Sequence, residues 1–311
     1  MKGVTLTILC ACAVSSSAPL SNLKPLKDLA GVDGAPGHFL YVVTLSQVTS
    51  LKHPARICTG NLIASNWVIT TAHCSRRVEI HGPKGYKIIY NQTQTARVLQ
   101  AIVHSGYKQP INESLHAKND IGLLLITEVE GAVVGKLSPV DYRSLIGRFS
   151  RYIGAWGSYT NFNHMDNPKY SFSTELDQFQ PLQIGETVVM ACKVKGLPRG
   201  PWVCVEADCS KYRQDSLRSD SGGPLILDGK IVAIGQGCVN EHTYIYTAVS
   251  PCIDWIMKTI CNSVSKIGSK RRTEYYVPRV ADVSLCVGYA TVTAHSAKTK
   301  ITKPERLTHL K

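Results

Sequence analysis

The sequence predicts an all-β fold, built as a barrel or a sandwich. Two observations carry this. Short runs rich in β-branched and aromatic residues recur along the chain, bounded by polar or glycine-bearing turns. Helical periodicity is almost absent until the region after residue 249. At 311 residues and 44% hydrophobic composition, the chain can bury one large core or two smaller ones.

The elements follow in order. Met1-Lys2, the apolar stretch 4–14 and Ser15-Ser16-Ser17-Ala18 form the charged, apolar and small-residue parts of a secretory signal over residues 1–18. No apolar run approaches the ~18 residues of a membrane-spanning helix, so no transmembrane segment is indicated. Residues 19–28 include Lys24-Pro25-Leu26-Lys27-Asp28, charged and proline-broken as a short propeptide would be. Strands are then expected over 37–45, 58–63, 67–70, 98–103 and 121–126. The same texture resumes over 154–156, 186–191, 224–227, 230–234 and 243–249. A helix closes the series. Ser250 can cap it, Pro251 suits its first turn, Asp254 complements its dipole, and Ile253, Ile256 and Ile260 share one face. No internal repeat of solenoid length is evident.

One stretch carries the chemistry, Asp215 to Pro224, in which Ser221 stands between Asp220 and the pair Gly222-Gly223. Paired glycines permit turns closed to other residues and let the backbone approach a ligand closely. That suits a hydroxyl that must stand clear of the fold beside inward-turned N–H groups. A serine hydroxyl is a weak nucleophile near neutral pH and needs a base, which in turn needs an orienting group. His73 ends the apolar run Trp67-Val68-Ile69-Thr70-Thr71-Ala72, beside Cys74. Asp120 opens the apolar run 121–126, where an unpaired carboxylate would be costly to bury. A lone residue of either kind is more often structural. Three such contexts in the order His, Asp, Ser point to nucleophilic catalysis.

With Thr71-Ala72-His73-Cys74, Asp120-Ile121-Gly122-Leu123-Leu124 and Asp220-Ser221-Gly222-Gly223-Pro224, the chain resembles the trypsin/chymotrypsin family of serine endopeptidases. Gly154-Ala155-Trp156-Gly157 and Tyr246-Thr247-Ala248-Val249 add weaker support, and the likeness covers residues 29–261. It implies two six-stranded antiparallel barrels with the active site between them and a C-terminal helix. It further implies His73 as base, Asp120 as its orienting acid, Ser221 as nucleophile, and the backbone N–H groups of Ser219 and Ser221 as the oxyanion hole. Asp215 matches the acid at the floor of the substrate pocket in trypsin-like members, which implies cleavage after Arg or Lys. Gly235 matches a small residue at the pocket mouth. Tyr244 stands where such members carry glycine, and a phenol there would fill the pocket and favour smaller or neutral side chains. Ser219 replaces the usual glycine. Asp28 precedes Leu29-Ala30-Gly31-Val32 where activation normally follows a basic residue. These departures keep open an alternative, a catalytically inactive protease-like binding or regulatory protein. An α/β-hydrolase is excluded, because that fold wants Gly-x-Ser-x-Gly and the order Ser, Asp, His.

Without residues 1–18 the eleven cysteines become nine, an odd number for an oxidising compartment. The resemblance pairs Cys58 with Cys74 and Cys192 with Cys204. The position that normally pairs with Cys238 holds Leu217, so Cys238 is directed to Cys209, while Cys252, Cys261 and Cys286 stay unassigned. With no Cys-x-x-Cys pair, no metal site is expected, nor is any cofactor. Net charge is +13, and residues 262–311 hold ten Lys or Arg against three acids, a net +7. That segment reads as a solvated basic extension or as a hold on polyanions; no specific nucleic-acid motif accompanies it. Asn91-Gln92-Thr93 and Asn112-Glu113-Ser114 are glycan acceptor sequences, usable if the protein is extracellular. Protein or peptide substrates complete the expected partners.

Overall fold

The computed structural model describes residues 32–33, 39–48, 55–91, 94–108, 117–154, 183–194, 197, 200–206, 221–240 and 243–269. A first group of strands comprises β1 (Val32–Asp33), β2 (Val42–Gln47), β3 (Ala55–Ala64) and β4 (Trp67–Thr70). Helix α1 (Ala72–His81) follows, then β5 (Tyr86–Tyr90), β6 (Gln94–Val103) and β7 (Gly122–Ile126). Strands β2-β3-β4-β7-β6-β5 close into an antiparallel six-stranded barrel. After β8 (Lys136–Leu137) come β9 (Phe149–Gly154), β10 (Gln183–Met190), β11 (Trp202–Glu206), β12 (Pro224–Leu227), β13 (Lys230–Asn240) and β14 (Thr243–Ala248). The path β10-β11-β14-β13-β12-β9 returns on itself through β9–β10 pairing, giving a second antiparallel barrel of six strands. Short β1 adds to β10, and β8 runs parallel to β13. Helix α2 (Ile253–Ser269) ends the described chain. The two-barrel fold and its closing helix are therefore those the sequence led us to expect.

Burial explains the pairing. All four residues of β4 and all five of β7 are buried, and the two strands sit side by side at the centre of the first barrel. Continuous apolar runs mark strands covered on both faces. Strand β5 alternates instead, with Tyr86, Ile88 and Tyr90 inward and Lys87 and Ile89 outward. Trp67, Leu62, Ile69 and Leu123 fill the interior, each fully buried side chain contributing roughly 1.5–3 kcal/mol. This core continues into Ile231 and Ile234 of the second barrel and Ile256 and Ile260 of α2, while Tyr152, Val189, Val203, Leu225 and Tyr246 form a separate cluster inside the second barrel.

Several local features depart from the sequence reading. Helix α1 was not expected, because Ser75-Arg76-Arg77 breaks any apolar run. Its start is fixed by Thr71, whose hydroxyl accepts from Cys74 N at 3.4 Å, and it ends before Gly82 at φ +83°. Strands β5 and β11 were also unanticipated. The first expected strand starts later, at Val42, because Phe39 takes φ +54° in a turn. Ser250 does not cap α2: Ser250–Cys252 forms a 3-10 turn without a side-chain cap, and leads directly into Ile253. Expectations for Trp156, Cys209, Asn112, Asp215, Ser219 and Cys286 lie outside the described residues.

Candidate active site

His73 is the second residue of α1, so the capping that starts the helix also places the imidazole at the barrel rim. Asp120 reaches it from the turn before β7. There Asn119 adopts φ +56°, a left-handed conformation that Asn tolerates better than most residues. Its Nδ2 donates to Gly106 O at 3.1 Å, and Ile121 N donates to Asn119 O at 2.8 Å. This turn directs the carboxylate back across the rim. Asp120 Oδ2 lies 2.7 Å from His73 Nδ1, and its Oδ1 accepts from His73 N at 2.9 Å. The Asp120 side chain is 3% exposed and that of His73 39%. A buried carboxylate is tolerated because both oxygens are engaged. With Oδ2 as acceptor, Nδ1 carries a proton and Nε2 is left with the lone pair, 3.4 Å from Thr71 Oγ1. Tyr107 lies nearby; burial, then the Asp120 charge, push its phenol well above its ordinary range, so it stays protonated.

Ser221 comes from the second barrel, just before β12. It is buried, and its Oγ donates to Gln236 O at 3.0 Å. Its own carbonyl accepts from Thr59 N of β3 at 2.8 Å and lies 4.0 Å from Cys74 Sγ. Gly222 takes φ +94°, and an added Cβ would collide with Thr59 O and Thr70 Oγ1. Asn61 Nδ2 then donates to Gly222 O at 2.9 Å. The glycine is thus needed both for its conformation and for its close approach. The Ser221-Gly222 backbone is seated against the middle of β3 and the end of β4, beside the residue that follows His73.

Cys58 and Cys74 form a disulfide, as do Cys192 and Cys204. The first ties β3 to α1, a closure of 16 residues worth on the order of 3 kcal/mol in chain-entropy terms. The Cys58 and Cys74 sulfurs and a His73 nitrogen lie within 4.8 Å of one another, but bonded sulfurs offer no thiolate, so this trio does not fit a metal. Cys238 and Cys261 are disulfide-bonded as well. Cys252 is a free thiol, buried, with its pKa pushed up to about 11 by burial, and is inert.

Gly235 and Tyr244 lie on the adjacent strands β13 and β14. Tyr244 is buried, its ring centroid 5.0 Å from that of Tyr246. A Cβ on Gly235 would sit 3.1 Å from Tyr244 Cε1 and 3.2 Å from its hydroxyl oxygen, so the absent side chain leaves room for the phenol. The structure therefore brings His73, Asp120 and Ser221 to one junction, with Gly235 and Tyr244 in the second barrel. Asp215 and Ser219 lie outside the described residues. Sequence reasoning missed Asn119, Gln236 and Thr247. Two of them left a signal: Gln236 is a polar amide directly after the buried run Ile231–Gly235, and Thr247 sits in the Tyr246–Val249 motif, though neither was given a role.

Comparison with known proteins gives the same answer as the fold. The Trypsin family model matches residues 29–256. Trypsin from Sus scrofa is 27% identical over 221 residues, covering 68% of this chain and 88% of that one. Trypsin-3 from Homo sapiens is 27% identical over 227 residues, 70% of this chain and 69% of its own. The structure of neuropsin, a serine protease expressed in the limbic system of mouse brain, superposes with a TM-score of 0.55 at 23% identity, covering 74% of this chain and 98% of neuropsin, which speaks for the fold. Two closed barrels and a family match across most of the chain establish that this protein belongs to the trypsin/chymotrypsin family of serine proteases.

Proposed function

We propose that this protein is a secreted serine endopeptidase that hydrolyses peptide bonds after Arg or Lys, using Ser221, His73 and Asp120. The observation that carries the reading is the His73–Asp120 pair, joined at 2.7 and 2.9 Å, with Ser221 seated at the same junction. His73 Nε2 takes the Ser221 proton while Oγ bonds the substrate carbonyl carbon, whose oxygen becomes anionic. Asp120 keeps the imidazole in the required tautomer and stabilises the imidazolium. By their match to the family's motif, the backbone N–H groups of Ser219 and Ser221 would serve the oxyanion, each such donor worth about 3 kcal/mol. His73 then gives the proton to the leaving nitrogen as the C–N bond breaks. Water, activated by His73, attacks the acyl-enzyme and releases Ser221. The Ser221 hydroxyl donates to Gln236 O at 3.0 Å, so attack begins by turning that O–H toward Nε2.

Specificity would rest on Asp215, which matches the pocket-floor acid of trypsin-like members, since a desolvated charge pair discriminates strongly for Arg or Lys. Tyr244 opposes it by occupying the wall. Residues 1–18 direct secretion, 19–28 form a propeptide, and the basic 262–311 segment supplies affinity for acidic polysaccharide. The competing reading, a binding protein without chemistry, draws on the Ser221 hydroxyl being held by Gln236. A peptide library varied at the residue before the cut, offered to the secreted and processed protein, tests the proposal. Cleavage after Arg or Lys that disappears in Ser221→Ala is expected. Preference for Leu, Phe or Ala contradicts the basic specificity, and its reversal by Tyr244→Gly identifies the obstruction. No cleavage of any peptide selects the competing reading.

A further inference from the structure

Ser221 and Asp120 come from different barrels, yet hydrogen bonds made by the main chain and the side chain of Gln236 link the Ser221 hydroxyl, through Thr247, to the main chain of Asp120. Ser221 Oγ donates to the main-chain oxygen of Gln236 at 3.0 Å. The Gln236 side chain uses both N–H bonds of Nε2, donating to Thr247 Oγ1 at 2.7 Å and Ala117 O at 3.2 Å. Thr247 Oγ1 in turn donates to Asp120 O at 3.1 Å. Each donor in the chain is used, and Ser221, Gln236, Thr247, Ala117 and Asp120 are all buried. In such surroundings a polar network is favourable only when complete, and a missing partner leaves its neighbour with an unpaired group.

The position of Gln236 in its strand matters more than its burial. Gly235 pairs with Tyr246 and Gly237 with Ile245, so Gln236 is the extra residue of a β-bulge. An unpaired bulge residue has no ladder partner to orient its peptide. Its carbonyl, which accepts from Ser221 Oγ, follows Gly235, whose backbone is held by Gly222 N and Gly223 O at 2.8 and 2.9 Å, and its side chain adds a second anchor outside the strand. That side chain is anchored to Thr247 in the second barrel and to Ala117, three residues before Asp120, in the first. We propose that Gln236 and Thr247 are positioning residues that fix the Ser221 hydroxyl relative to Asp120 across the barrel junction. This rests on the proposed serine-protease reading for its catalytic consequence, though the coupling of the two segments does not.

The test uses the full-length, secreted and processed protein with three single variants and one double. Thr247→Val and Gln236→Met keep side-chain size while deleting the network's polar atoms. Losing one such hydrogen bond should slow labelling by a fluorophosphonate about tenfold in each. Thr247→Ser should recover the rate to within about twofold, and Gln236→Met/Thr247→Val should be no slower than the worse single, as expected for one unit. KM for a small peptide substrate should change less than kcat. Wild-type labelling rates in both folded single variants, failure of Thr247→Ser to recover, or multiplying losses in the double would each overturn the proposal. If the wild-type protein takes no label, the protease reading fails separately. The coupling is then read from solvent exchange of the His73 Nδ1 proton by NMR. Exchange should accelerate about tenfold in Thr247→Val, and an unchanged exchange rate overturns the proposal.

Discussion

His104 shows how a single side chain outside the reacting atoms conditions the site. Its Nδ1 accepts from Gly106 N at 3.0 Å, and its ring packs against Trp255 of α2, centroids 4.7 Å apart and planes tilted by 60°. Gly106 O in turn holds Asn119, next to Asp120. Burial lowers the His104 pKa below its ordinary 6.5, and a proton on Nδ1 would displace the Gly106 N–H. The folded state thus binds fewer protons than the unfolded chain. Stability from this residue is complete above pH 6.5 and falls as pH drops through the lower folded value. Urea denaturation between pH 7.5 and 5 should show that loss, and His104→Asn, which keeps an acceptor without titrating, should flatten the slope. An equal slope in both proteins would exclude His104 as the cause. The pairing of His73 with Asp120 was legible because each sits in a distinctive local string, as does Ser221, the proposed nucleophile. Asn119, Gln236 and Thr247 were not, because their roles lie in partners 13, 119 and 127 positions away.

At the scale of elements, unbroken apolar sequence was the dependable guide. Strands β4 and β7 and the Ile256/Ile260 face of α2 were legible because burial on every side, or on one helical stripe, writes directly into residue choice. Helix α1 was not, since it exposes Arg76, Arg77 and Glu79 and depends on a cap and a disulfide. The Ser250 cap failed because the chain enters α2 through a 3-10 turn that leaves no free helix start. Trp67 offers a direct measure of the β4 contribution. It is fully buried, and its Nε1 has no hydrogen-bond partner among the described residues. Trp67→Ala should cost about 3–5 kcal/mol by opening a cavity. Trp67→Phe should cost much less, because it also removes an unpaired buried donor. Urea midpoints decide this, and equal losses would show that the indole N–H is satisfied.

Across the whole molecule, the proposed chemistry lies where the barrels meet. The first barrel holds His73 and Asp120, the second delivers Ser221, and Thr59, Asn61 and Thr247 bind the halves through the backbone around them. The shared core through Ile231, Ile234 and Ile256 makes the junction part of the fold. Two barrels were legible from strand texture together with family motifs, whereas the closure of the second, by β9 on β10, was not, since that pairing joins segments about thirty residues apart. The measurement that bears most directly on the account is intact-mass and peptide-mapping analysis of the secreted, processed protein after exposure to a fluorophosphonate. One adduct should form, on Ser221, with none in Ser221→Ala and a rate lowered by more than about a hundredfold in His73→Ala. An adduct retained in Ser221→Ala, or none in the processed wild-type chain, would contradict the assignment of this junction as an active site.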